Sequence, residues 1–188
     1  MAIDTTTQLT PERLMQFTFG FAPPLIIEAG IRHRVFNVLD EGAKTIEQLC
    51  AATGASPRGL RAILNALAGL GLLAKEDKDR YALTPESATF LVSGKPSFHG
   101  AFFLLTAEPI LSKWRKLYEI VVSGRPAQHI NQAQDGVPFF LQFVEQIFPI
   151  HYPAAKRLGE ALGVAAATAP VSVLDLAAGS GVWSIALA

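Results

Sequence analysis

The residues with the clearest chemical meaning lie near the carboxyl end of the sequence. The apolar segment 171–176 delivers Asp175, and a turn with Gly179 and Gly181 follows, ahead of a helical pattern from Val182 to Ala188. In open α/β sheets, backbone N–H groups at such a turn bind nucleotide-type ligands beside the carboxyl end of a strand. The pattern therefore predicts a strand, a ligand-binding turn and a helix.

The spacing of this turn narrows the class of ligand. A dinucleotide fingerprint needs a third glycine or an alanine, and Ser184 stands at that position when counting from Gly179. No Gly-Lys-Ser/Thr follows, which excludes a phosphate loop. A ligand without phosphates, but with a ribose and an amino-acid end, fits the turn better.

The elements ahead of the turn are mostly helical. Apolar residues recur at helical spacing from Leu25 to Leu39, on more than one side of the predicted helix. Such a helix must be covered on both sides, either by its own core or in part by a second subunit. From Thr45 to Leu91 the pattern is helix, turn, helix, strand, charged turn and strand, which is the order of a winged helix.

The predicted fold class is mainly α with a winged-helix (α+β) domain, followed by the start of a Rossmann-like α/β domain. Three units are predicted: residues 10–100 as the helical and winged-helix domain, 101–168 as connecting helices, and 169–188 as the first strand and the glycine-rich turn. A doubly wound sheet needs several more strand–helix units. We therefore expect the chain to be the amino-terminal part of a longer protein.

The composition limits the classes of partner and the cellular compartment that we expect for this protein. Lys plus Arg equals Asp plus Glu at 16 each, so no net field favours nucleic acid or an anionic membrane. The single Cys50 excludes a disulfide within the chain and favours a reducing cytoplasm. The apolar stretch around Ala101 to Leu111 is too short to span a bilayer. We expect a cytoplasmic protein that binds neither nucleic acid nor membrane.

Two motifs in this order carry a family resemblance. Asp175 with Gly179-x-Gly181 after an apolar strand resembles motif I of class I S-adenosylmethionine-dependent methyltransferases. The winged helix and its leading helices resemble the dimerisation domain of the plant-type small-molecule O-methyltransferases and their bacterial relatives. The segments that carry this second resemblance are Ile31 to Leu39, Gly69 to Leu73 and Tyr81 to Thr84. Together the two resemblances cover the chain from about Leu25 to Ala188.

The resemblance implies a cofactor, S-adenosyl-L-methionine, and residues that would hold its methionine end: Asp175, Ala177, Gly179, Ser180 and Gly181. The family has glycine where Ala177 stands, so a positive φ there would be strained. The family's histidine general base and its acidic ribose ligand are expected beyond Ala188. The implied reaction is base-assisted transfer of a methyl group from the sulfonium to a substrate hydroxyl, without a metal.

The resemblance also implies partners. It predicts a homodimer through the region from Leu25 to Leu39, and a small methyl acceptor that is aromatic or polyketide-like. In this family the segment between Phe98 and Tyr152 builds part of the acceptor pocket, so Phe140, Phe143 and His151 are candidate lining residues.

Two other classes of function stay open at this point. A winged-helix DNA-binding regulator would use Arg58, Arg61 and Asn65 on its second helix, although acidic residues neutralise the basic ones of the wing. A non-catalytic dimerisation fragment would bind neither cofactor nor DNA. No pair of histidines has metal-ligand spacing, so we expect no metal.

Overall fold

The computed structural model describes residues 10–127 and 133–188. The described chain is mostly helical, with one small antiparallel sheet. Its first part contains the following elements, in order: α1 Glu12–Thr18, α2 Ala22–Arg32, α3 Val35–Asp40, β1 Lys44–Thr45, α4 Ile46–Thr53, α5 Pro57–Gly69, β2 Leu73–Glu76, β3 Arg80–Leu83 and α6 Pro85–Phe90.

The second part adds α7 Gly100–Leu105, a π-helical turn Thr106–Ile110, α8 Leu111–Trp114, α9 Leu117–Ser123, α10 Ala133–Ala161 and α11 Val182–Leu187. This mainly helical architecture agrees with the predicted class. The predicted division into residues 10–100, 101–168 and 169–188 remains a prediction.

The single helix predicted from Leu25 to Leu39 is wrong, because the chain turns between α2 and α3. Arg34 adopts a left-handed conformation with φ 55° and begins α3 there. The turn folds Phe36 back onto α2, where a Cβ on Gly30 would lie only 3.0 Å from the phenyl ring. Burial of that ring outweighs the cost of a left-handed arginine, about 1–2 kcal/mol.

The helix–turn–helix and strand–turn–strand order predicted for residues 45–83 is confirmed. Thr45 and Gln48 form a capping box at the start of α4, and Gly54 ends that helix with φ 70°. The Ser56 side chain accepts a hydrogen bond from the Gly59 N–H at the start of α5. The sheet order is β1-β3-β2, with both pairs antiparallel.

The hydrophobic core lies within residues 27–92. Its buried members come from α2 to α5, from β2 and β3, and from the two residues after α6: Ile27, Val35, Phe36, Leu39, Ile46, Leu49, Leu60, Leu64, Leu67, Leu73, Tyr81, Leu91 and Val92. Cys50 is half-buried against this cluster, as expected for a structural thiol. The apolar stripe of α5 is therefore a core stripe.

Helix α10 is continuous from Ala133 to Ala161. It runs through Pro138, Pro149 and Pro153, each of which lacks the N–H that a helix interior uses. Near its carboxyl end Ala155 is fully buried and α11 packs against it.

The strand predicted over 171–176 does not form. These residues have no regular secondary structure, and Leu174 and Leu176 are 81% and 79% exposed. A strand exists only through hydrogen bonds to a neighbouring strand, and the described residues place none beside this segment. The helix predicted after the glycine-rich turn is present as α11.

Candidate functional site

Asp175 is tied to the first turn of α11. The Ser184 hydroxyl donates a hydrogen bond to Asp175 Oδ2 at 2.8 Å, and the Ser184 N–H donates to the same oxygen at 3.4 Å. Both residues are half-buried. The sequence places Asp175 correctly ahead of the turn, but nothing in the resemblance assigned a role to Ser184.

The turn between them is built from left-handed residues. Ala177, Gly179 and Gly181 have φ values of 56°, 58° and 69°. The Gly181 N–H donates to the Ala178 carbonyl oxygen at 2.8 Å, which closes the turn. Glycine adopts this conformation freely, whereas alanine is strained there by about 1–2 kcal/mol. The strain expected for a positive φ at Ala177 is therefore present.

Helix α10 supports the turn and α11. A Cβ added to Gly179 would lie 3.8 Å from Val144 Cγ1, and one added to Gly159 would lie 3.1 Å from Leu187 Cδ2. Gly159 thus allows α11 to pack closely on α10, and Val182 is buried at the start of α11. The turn is held against the long helix that links it to the rest of the chain.

The three predicted acceptor-lining residues all lie on α10. Phe140 and His151 are eleven residues apart, which places them about 20° apart around a helix. Phe140 lies one turn before Val144, so it neighbours the part of α10 that faces the turn. Phe140 is 45% exposed and His151 is exposed, while Phe143 is half-buried. Their role as lining residues remains a prediction.

Another aromatic pair on α10 was not singled out from the sequence. Phe148 and Tyr152 stack with ring centroids 5.5 Å apart and planes 16° apart. Their i, i+4 spacing is the signal that could have identified them. Phe148 also lines an open cavity of 590 Å³, together with Phe98 and Gln146.

A larger cavity of 670 Å³ lies between α2 and the segment formed by the π-helical turn and α8. Leu25 and Glu28 line one side, and Ala107 and Leu111 line the other. π-Helical turns occur frequently at functional sites. None of the three predicted acceptor-lining residues borders this cavity.

Two of the three candidate DNA-contacting residues of α5, Arg61 and Asn65, interact with other side chains of the chain. Arg61 lies 3.6 Å from Asp79, which also pairs with Lys75 at 2.8 Å. The Tyr81 hydroxyl donates to Asn65 Oδ1 at 2.7 Å. The hydrogen bond from Lys75 is the first cause that holds the pKa of Asp79 below its ordinary value, and the same bond raises the pKa of Lys75.

Within the described ranges, 10–127 and 133–188, no three His, Cys, Asp or Glu side chains are grouped so that they could hold a metal ion.

One stretch of the described residues, Glu12–Arg32, is long and apolar enough to span a bilayer by length and composition alone, with 6% of its apolar window buried. It comprises α1 and α2, with a break at residues 19–21. Because α2 packs against α5 and α7, its position is that of a helix within a folded domain.

Comparison with known proteins gives a family match over the helical domain. Residues 15–93 match the O-methyltransferase dimerisation domain. The chain is 29% identical to the tetracenomycin polyketide synthesis 8-O-methyl transferase TcmO of Streptomyces glaucescens, over 61% of this chain and 34% of that protein. It is 34% identical to the acetylserotonin O-methyltransferase of Mus musculus, over 60% of this chain and 30% of that protein.

Solved structures of the same class share the fold. An O-methyltransferase structure from Nostoc punctiforme matches with a TM-score of 0.79 at 22% identity, over 96% of this chain and 53% of that one. The riboflavin-analogue dimethyltransferase RosA from Streptomyces davawensis matches with a TM-score of 0.64 at 26% identity, over 80% and 48%.

The chain spans about a third of the length of the curated relatives it matches. The match over residues 15–93 agrees with the resemblance carried by Ile31 to Leu39, Gly69 to Leu73 and Tyr81 to Thr84. The resemblance drawn from the sequence is confirmed over residues 15–93, which match the O-methyltransferase dimerisation domain.

Proposed function

We propose that this chain is part of an S-adenosylmethionine-dependent O-methyltransferase that methylates a hydroxyl of a small aromatic or polyketide-like acceptor. The observation that carries the proposal is the turn from Asp175 to Gly181, held on α10 in a chain whose residues 15–93 match the O-methyltransferase dimerisation domain. The names of several relatives support the acceptor class, since TcmO acts in polyketide synthesis and another relative methylates a naphthoate.

The chemistry of the turn suits the proposed cofactor. The methionine end of S-adenosylmethionine carries an ammonium and a carboxylate. The Asp175 carboxylate accepts hydrogen bonds, and the backbone N–H groups of residues 177–181 donate them. The cofactor, when bound, supplies a methyl group on a positively charged sulfur, and the acceptor hydroxyl loses its proton as the new bond to carbon forms. The turn's contribution is to bind and orient that cofactor.

We propose further that residues 45–91 form a winged helix that serves dimerisation, and that residues 169–188 begin a Rossmann-like domain. The engagement of Arg61 and Asn65 within the chain supports dimerisation over DNA reading. A DNA-binding regulator would show salt-sensitive binding to duplex DNA, which we do not expect. The proposal places the enzyme in the cytoplasm, in agreement with its single half-buried cysteine.

The dimer surface predicted from Leu25 to Leu39 needs revision, because much of that segment is buried in one chain. Val35, Phe36 and Leu39 are at most 3% exposed and lie in the chain's own core. Large apolar side chains are exposed instead on α1 and just after it, with Phe17 at 70% and Phe19 at 66%. We place the homodimer interface on this surface, where a second copy would cover them.

The interface is tested by light scattering of the wild type and of Phe17→Glu. We expect the wild type at twice the chain mass of 20.2 kDa and the variant at the monomer mass. Leu70→Glu, at a similarly apolar but 40% exposed position after α5, is the matched control and should remain dimeric. A monomeric wild type would contradict the proposed dimer.

Cofactor binding is tested by calorimetric titration of the purified protein with S-adenosylhomocysteine. Removing a charged hydrogen-bond acceptor by Asp175→Asn should weaken binding by about ten- to a hundredfold. Asp77→Asn, the same change in the remote turn between β2 and β3, should bind like the wild type. A wild type that does not bind, or an Asp175→Asn variant that binds equally well, would refute the proposed site.

A further inference from the structure

The hydrogen bond between Ser184 and Asp175 closes the glycine-rich turn. It joins a residue before the turn to a residue in the first turn of α11, nine positions later, at 2.8 Å between Oγ and Oδ2. The three residues with positive φ, Ala177, Gly179 and Gly181, all lie inside the loop that this bond closes. The shape of the turn and the orientation of the carboxylate are therefore fixed together.

The two hydrogen bonds make the two oxygens of the Asp175 carboxylate unequal. Both the Ser184 hydroxyl and the Ser184 N–H point to Oδ2. Within residues 10–127 and 133–188, no hydrogen bond or ion pair engages Oδ1. A carboxylate held by one oxygen keeps its other oxygen in a constant place, available to a donor that binds at the turn.

We infer that Ser184 is a positioning residue for cofactor binding, which acts by holding Asp175 so that its second oxygen accepts from the amino group of the methionine end. The inference rests on the proposed function and assigns a residue of α11 that the motif itself does not include. A serine serves this role because it supplies both a side-chain donor and a backbone donor to the same oxygen.

The test compares two ligands on four proteins: wild type, Ser184→Ala, Ser184→Thr and Ser172→Ala. S-Adenosylhomocysteine carries the amino-acid end, whereas 5′-methylthioadenosine lacks it. We expect Ser184→Ala to bind S-adenosylhomocysteine about tenfold more weakly, because the variant lacks the charge-assisted hydrogen bond from the Ser184 hydroxyl to Asp175. Binding of 5′-methylthioadenosine should stay within about twofold of the wild type. Ser184→Thr retains the hydroxyl and should restore the affinity.

Ser172→Ala makes the same chemical change at an exposed serine ahead of Asp175 and should bind both ligands like the wild type. If Ser184→Ala weakens both ligands equally, Ser184 only stabilises the fold and the positioning role is refuted. Equal binding of S-adenosylhomocysteine by wild type and Ser184→Ala would also refute it, while leaving the proposed function intact. A wild type that binds neither ligand would instead remove the proposed function, and the inference with it.

Discussion

The helical domain from Ile27 to Val92 and the segment from Val171 to Leu176 are both rich in apolar residues, yet they differ in what covers them. In the first, Val35, Phe36 and Leu64 are fully buried. In the second, Leu174 is 81% exposed. The comparison shows that an apolar pattern specifies structure only where the described chain supplies a partner surface.

The two regions also differ in the property that a substitution should change, which is stability in the first and ligand binding in the second. The helical domain has its own buried core, whereas the turn after Asp175 is supported from one side by α10. Exposed backbone N–H groups and a left-handed alanine in that turn suit a ligand-binding segment, whose shape serves the ligand. Changes in the first region should therefore alter unfolding, and changes in the second should alter binding.

The largest effect is expected from Phe36→Ala. Removing a fully buried phenyl ring leaves a cavity beside Gly30 and should lower the free energy of unfolding by about 3–5 kcal/mol. Leu174→Ala should change it by less than about 0.5 kcal/mol, because that side chain is exposed. Chemical denaturation of both variants measures the difference. Equal losses would contradict the contrast between the two regions.

A smaller effect is expected where the two regions meet, at Gly159 on α10. The side chain of Gly159→Val would collide with Leu187 and push α11 away, at a cost of about 1–3 kcal/mol from overpacking. Amide hydrogen exchange of residues 182–187 should accelerate. Gly69→Val, at a helical glycine with open space around it, is the control. Unchanged exchange in α11 would show that Gly159 is not needed for this packing.

Ala177→Gly should relieve the strain of the turn. The left-handed φ of 56° costs alanine about 1 kcal/mol relative to glycine, so S-adenosylhomocysteine should bind up to about fivefold more tightly. Ala178→Gly, beside it but without a positive φ, should give no such gain. Weaker binding by Ala177→Gly would mean that strain at the left-handed alanine does not lower the affinity for S-adenosylhomocysteine.

The smallest expected effect is on the ion pair between Lys75 and Asp79, in the turn between β2 and β3. The folded pKa of Asp79 lies below its ordinary value, first because of the hydrogen bond from Lys75. Its stabilising contribution is complete above the unfolded pKa, about 4, and is lost as the pH falls through the folded value. Asp79→Asn should reduce the loss of Tm below pH 4, and Asp77→Asn should not. Identical acid profiles would show that the ion pair contributes nothing, as exposed pairs often do.

Much of the helical domain was predictable because local signals and burial agree there. The helix–turn–helix and strand–turn–strand order appears in the structure as expected, and helix caps and an apolar stripe on α5 support it. The break at Arg34 was not predictable, since no glycine or proline marks it and the packing of Phe36 decides it. The continuity of α10 through three prolines was likewise not predictable, because proline normally ends or kinks a helix.

The turn itself was predictable from the sequence, whereas its hydrogen bonding was not. The spacing of Asp175, Gly179 and Gly181 identified the turn, because glycine is required where φ is positive. The bond from Ser184 depends on how α11 leaves the turn, which side-chain type alone does not determine. The unpaired segment before Asp175 shows the converse case, in which a strand pattern has no neighbour to pair with.

The most direct test is a crystal structure of the protein with S-adenosylhomocysteine. We expect the amino-acid end of the ligand against residues 177–181, with its amino group within hydrogen-bond distance of Asp175 Oδ1 and with Ser184 still bound to Oδ2. The same crystals should contain a dimer joined through the surface that includes Phe17 and Phe19. Ligand bound elsewhere, with the turn after Asp175 unchanged and empty, would contradict the proposed cofactor site.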